Sequence, residues 1–136
     1  MVDTEHDNGL VQIASHHSVV ETLARLERLL VARGLTVFAR IDFSGDAARA
    51  GLTMRAEQML IFGNPRAGTP LMQSVPACGI DLPLKALAWE DAAGRTWLAY
   101  NAPAYILQRH GLPAAMAGAL TAPIGLLEAA AQAVNV

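Results

Sequence analysis

The stretch LPLKALAWEDAAGRTWLAYN, residues 82–101, decides the fold. Two β-rich runs, LPLKALAWED and RTWLAYN, flank the turn at residues 92–94, which ends in Gly94, and this spacing predicts a β-hairpin. Upstream, strands alternate with helices. Helices that punctuate strands and then give way to a hairpin predict a two-layer α+β sandwich. Its sheet is mixed but mainly antiparallel, of about five strands, with helices covering one face.

Working outward, LTVFARIDF at residues 35–43 alternates Leu35, Val37, Ala39, Ile41 and Phe43 against Thr36, Phe38, Arg40 and Asp42, as a strand does. Before it, Val19, Leu23, Leu26 and Leu30 recur at helical spacing. Ser18 with Glu21 forms a capping-box pattern, Glu21 and Arg25 stand as an i,i+4 pair, and Gly34 supplies the C-cap. GLVQIAS at residues 9–15 reads as a first strand, SGDAARAGL as a brief helix with Ser44 near its cap, and RAEQMLIFGN as a third strand. Beyond the hairpin come a short helix at 103–110 and a longer Ala-rich helix at 113–134, interrupted near Pro123. The polar residues 1–8 read as a disordered tail and 9–136 as a single domain.

Apolar residues make up 53% of the 136 and aromatics only 5%, so the core is built from aliphatic side chains. The net charge of −2, with basic residues scattered, lacks the positive patch that nucleic acid requires. Cys78 is the single cysteine, which excludes an internal disulfide and CxxC sites. The N-terminus lacks the basic and apolar regions of a secretory signal, so the expected compartment is the cytoplasm. The apolar run at 112–127 is shorter than the ~20 residues a span needs and is diluted by Gly, Thr and Pro, so a buried or interface helix is expected there, not a membrane span.

The segment LIFGNPRAGTPLMQ, residues 60–73, raises the question of a phosphate loop. Gly63 and Gly68 have the spacing of a Walker A motif, but Thr69 and Pro70 stand where Lys and Ser or Thr belong, and Pro65 deletes a backbone donor. The segment reads instead as a helix start, with Thr69 as N-cap and Pro70 at the first helical position. Such a start leaves amides free beside Arg66, where a small carboxylate or phosphate would dock.

LIFGNPRAGTPLMQ, DLPLKALAWED, a Gly turn, WLAYNAP and the RHGL beginning at Arg109, with GLTVFARIDF upstream, together resemble the prokaryotic "domain of unknown function 302" family. The resemblance runs from Ser18 to Leu112. It implies a compact α+β domain, typically dimeric, and implies no activity.

Two constellations remain. Asn64, Arg66, Gly68, Thr69 and Asn101, at strand ends, are the expected ligand-binding residues for a small, possibly anionic, molecule. Glu90 as general base, Tyr100 as donor and Arg66 as anion clamp form the alternative, a small cofactor-independent isomerase or hydrolase, although Glu90 and Asp91 read more simply as turn acids, with no nucleophile beside them. His16 and His17 are adjacent and point apart in an extended segment, so no metal site is expected, and no cofactor motif is present. Trp89 and Trp97 face each other across the hairpin and suit the core or a subunit seam, and Ala114, Ala115, Gly118 and Ala119 permit close helix approach. The leading expectation is a non-catalytic homodimeric module; a purely structural dimerisation domain is a further alternative.

Overall fold

The computed structural model describes residues 3–5 and 8–133. Its elements run β1 (Asp3–Glu5), β2 (Leu10–Ser15), α1 (Val19–Ala32), β3 (Thr36–Asp42), α2 (Phe43–Arg49), β4 (Glu57–Gly63) and α3 (Pro65–Ser74). A 3-10 helix (Pro76–Asp81), β5 (Leu84–Glu90), β6 (Thr96–Asn101) and α4 (Pro103–His110) follow, then a 3-10 turn (Ala114–Met116), α5 (Gly118–Thr121) and α6 (Ile124–Ala131). Among the described residues the sheet has six strands, in the order β1-β2-β6-β5-β4-β3. Every described pairing is antiparallel, so the expected mixture of directions is corrected. The sixth strand, β1, lies within the stretch expected to be a disordered tail and pairs with β2; residues 1, 2, 6 and 7 lie outside the described residues.

Side chains alternate across a strand, so the registers sort the sheet into two faces. Ile13, Leu60, Phe62, Ala86, Ala88 and Leu98 point to one face. Leu23, Leu26 and Leu30 of α1 cover it, with Leu126, Leu127, Ala130 and Ala131 of α6. The other face carries Met59, Ile61, Leu87, Trp89 and Trp97, all half-buried. Trp89 opposes Trp97 in the register, and their rings stack with centroids 6.3 Å apart. The architecture is an α+β two-layer sandwich, as the hairpin predicted.

Helix α1 begins where the sequence placed it. Ser18 accepts the Glu21 amide at 3.1 Å, and Gly34 after the helix takes φ 78°. The expected Glu21–Arg25 pair is replaced. Glu21 meets Arg28 at 3.1 Å, while Arg25, 5% exposed, turns inward and donates to the carbonyls of Ala130 at 2.9 Å and Ala129 at 3.1 Å. A buried guanidinium thus closes the C-terminal end of α6, where the helix dipole is negative.

Helix α2 starts at Phe43, and its cap is Asp42, two residues before Ser44, accepting the Gly45 amide at 3.0 Å. That amide and the Ser44 hydroxyl hold the Asp42 carboxyl below its ordinary value. The hairpin turn is organised by Asp91, whose carboxylate accepts the amides of Ala93 and Arg95 and the Trp97 indole, each at 2.9 Å. The expected long C-terminal helix is broken into a 3-10 turn, α5 and α6. By length and composition the 18 residues Ala114–Ala131 are apolar enough to cross a membrane, with mean hydropathy 1.4, but α6 spends its large side chains on α1.

A second, smaller core lies beyond the end of the sheet, built from Leu71, Cys78, Ile106, Leu112 and Leu120. Leu84, at the start of β5, packs against both cores.

Candidate functional site

The turn after β4 is built from its first residue. Asn64 is extended, and its side-chain oxygen accepts the Arg66 amide at 3.0 Å, so it caps α3 and Pro65 takes the first helical position. The Ala67 and Gly68 amides both reach the Asn64 carbonyl at 2.9 Å. This corrects the expectation that Thr69 caps the helix and Pro70 opens it. Thr69 lies inside α3, and Pro70 is an interior proline. It also removes the basis for an anion dock there, because Pro65 has no amide and the next three are already engaged.

What the turn does create is a cleft of about 200 Å³ between the end of the sheet, α3 and α5. Gly63, Asn64, Ala67, Gly68 and Thr69 form one wall. Phe38, Met72, Pro83, Leu84, Ala119 and Leu120 are among the residues that complete it. Pro83 follows a cis peptide bond. Among the described residues the lining is apolar apart from Asn64 and Thr69, and holds no charged side chain.

Three of the five expected ligand residues, Asn64, Gly68 and Thr69, therefore meet at one cleft. The other two do not. Arg66 is exposed and does not line it. Asn101 lines a narrow neighbouring crevice with Tyr100, Lys85 and Asp81.

The acid–base arrangement is not assembled. Leu84 pairs with Phe62 beside the Arg66 turn, whereas Glu90 pairs with Thr96 beside the hairpin. Six strand residues separate those two levels, about 20 Å. Tyr100 is four residues from Thr96 along β6, about 13 Å from the level of Glu90. No single small substrate bridges these groups.

The sequence reading missed one polar cluster. Asp81 accepts from His110 Nε2 at 2.5 Å and from Arg109 Nη1 at 3.1 Å, and the His110 side chain is 8% exposed. These partners ligate the 3-10 helix to α4. Cys78, one turn before Asp81, is fully buried; burial pushes its thiol up, and the Asp81 charge adds to this. That is the electrostatics of an inert thiol, not of a nucleophile. Among the described residues no group of three His, Cys, Asp or Glu is placed to hold a metal ion.

The chain is similar to proteins named fluoride-specific ion channel FluC 1 from Brucella suis biovar 1 and Brucella abortus biovar 1. It is 47% identical to each over 106 residues, covering 78% of this chain. It spans 42% and 39% of their respective lengths, about two fifths. In fold it matches an uncharacterized conserved protein DUF302 from Bacillus stearothermophilus, with a TM-score of 0.74, 18% identity, and coverage of 90% of this chain and 95% of that one. The model of the domain of unknown function DUF302 matches residues 11–130, and this chain belongs to that family.

Proposed function

We propose that this chain is a non-catalytic binding module, working as a homodimer in the cytoplasm, that takes a small, largely apolar molecule at the end of its sheet. The observation that carries this reading is the cleft beside α3, where two hydrogen-bonding side chains, Asn64 and Thr69, stand in an otherwise apolar lining. That combination of apolar walls with a few orienting polar groups is the usual chemistry of a ligand site. The half-buried sheet face around the stacked Trp89 and Trp97 supports the dimer, since aromatic and aliphatic side chains of this kind gain from a partner surface. Amide NMR with 1-hexanol as probe tests the ligand site. Shifts confined to Gly63, Ala67, Gly68 and Leu84 are expected, and a spectrum unchanged at those amides removes the reading. Sedimentation of the Trp97→Glu variant tests the dimer: a wild type that is already monomeric at micromolar concentration refutes it.

A second reading comes from the relatives. Because chains named as fluoride channels contain a segment like this one over about two fifths of their length, the domain is also proposed to work beside a membrane channel. Fluoride efflux from liposomes carrying the Brucella suis protein, compared with a form lacking the matched segment, would change in rate or regulation. Identical efflux would count against it.

A further inference from the structure

A second cleft, of about 300 Å³, opens on the helical side of the same sheet end. It shares Gly63, Asn64, Ala67, Leu84 and Ala119 with the first, so the two adjoin around the tip of the sheet and together form the candidate groove. Its two ends differ in chemistry. One end is apolar, between Phe38, Met72 and Pro83. The other carries Arg33, the residue that closes α1, and among the described residues this is the sole charged residue lining either cleft. Among the described residues, no carboxylate pairs with Arg33: Glu21, Glu27, Asp46 and Asp81 are taken by other cations. Arg33 itself is exposed where it lines this end of the cleft.

We propose that the groove binds an amphipathic carboxylic acid of medium chain length, with its alkyl chain laid along the apolar end and its carboxylate paired with Arg33. This rests on the reading of the cleft as a ligand site and names the class of ligand. One cation with no second positive group in the lining matches a monoanion; a phosphate ester would leave charge uncompensated. The two halves of the groove do different work. Burial of the chain sets affinity, with each added methylene tightening binding about fourfold. An ion pair at an exposed mouth is worth at most about fivefold, so Arg33 selects the head group and does not drive binding.

Calorimetric titration of the purified chain with octanoate, decanoate and 1-decanol tests this. Decanoate should bind more than tenfold tighter than octanoate, and tighter than decanol. Arg33→Gln should weaken decanoate about twofold to fivefold while leaving decanol unchanged. Gly68 and Gly118 line the groove at positions where an added Cβ meets nothing within 4 Å, so Gly68→Phe and, independently, Gly118→Phe place a side chain there from open space, and each should reduce binding of both probes. If decanol binds as tightly as decanoate and Arg33→Gln changes neither, the carboxylate assignment is overturned while the apolar cleft stands. If the wild type takes neither probe, or if both phenylalanine variants fold and bind normally, the cleft itself is not the site.

Discussion

Replacing Asn64 with alanine separates two ways of starting α3, and with them two ideas of what the turn after β4 is for. In the structure Asn64 supplies the side-chain oxygen that accepts the Arg66 amide at 3.0 Å, at an exposed position with no other hydrogen-bonded partner for that atom among the described residues. Loss of such a cap costs about 1 kcal/mol, because one helix-entry amide must find water instead. For a domain of this size that corresponds to a fall in melting temperature of about 2–5 °C. Asn64→Asp keeps the acceptor and places a negative charge at the positive end of the helix, so it should match or slightly exceed the wild type. Thr69→Ala is the opposite control. Thr69 is exposed inside α3, and alanine there should be neutral or stabilising by a few tenths of a kcal/mol, about the difference in helix propensity. Differential scanning calorimetry of the three variants without ligand reads all of this. If Thr69→Ala costs about 1 kcal/mol and Asn64→Ala nothing, the helix begins at Pro70. The amides near Arg66 are then free, and an anion dock at this turn returns.

Three further outcomes follow from buried or engaged groups. The Trp97 indole N–H, then the Arg95 amide, hold the Asp91 carboxyl below its ordinary value, so its stabilising contribution is present above the unfolded value of about 3.9 and is lost as pH falls through the lower folded value. In urea denaturation, the penalty of Asp91→Asn should therefore be larger at pH 6 than at pH 3; an equal penalty would show that the carboxylate charge does not matter to the turn. Arg25→Ala strands the Ala129 and Ala130 carbonyls and should cost about 3 kcal/mol or more, with Arg25→Lys recovering only part, since an ammonium cannot reproduce the fork; full recovery by lysine would refute this geometry. Cys78, fully buried with its thiol pushed up, should resist iodoacetamide at pH 8 in the native state and react once unfolded; rapid native alkylation would place it at the surface.

Elements whose evidence is local were legible in the sequence. Helix α1 carries its stripe, cap and terminal glycine in consecutive residues, and the hairpin carries its turn between two alternating runs. The start of α3 was misplaced because two cap-like pairs, Asn64-Pro65 and Thr69-Pro70, lie five residues apart. The earlier pair prevails although Pro70 gives up the hydrogen bond to the Arg66 carbonyl and crowds it, because Arg66 is exposed and water can serve that group. Arg25 shows the other kind of failure. Its spacing from Glu21 fits a surface pair, but its true partners lie 104 and 105 residues away on α6, and no window along the chain contains them. Glu90 and Arg66 were placed together for the converse reason: each stands at a strand end, and only the register reveals that these are opposite ends.

The groove was the least legible feature, and its origin explains why. Protein interiors pack densely, so a persistent gap needs a cause in the side chains that border it. Here two cores meet at Leu84: one sandwiched between the sheet and the α1–α6 layer, the other gathered around Leu71, Cys78 and Ile106 beyond the sheet end. The seam between them is lined by Gly63, Ala67, Gly68, Gly118 and Ala119, none of which has a side chain larger than a methyl group. Each of these residues, read alone, is an ordinary helix or strand-end residue, and in a chain with only 5% aromatics few large rings are available to fill the space. Small residues contributed by β4, α3 and α5 leave volume only because the fold brings those three elements to one place. Filling that volume at Gly68 should therefore leave the fold intact, whereas Leu84→Ala, which withdraws packing from both cores at once, should cost about 2–4 kcal/mol.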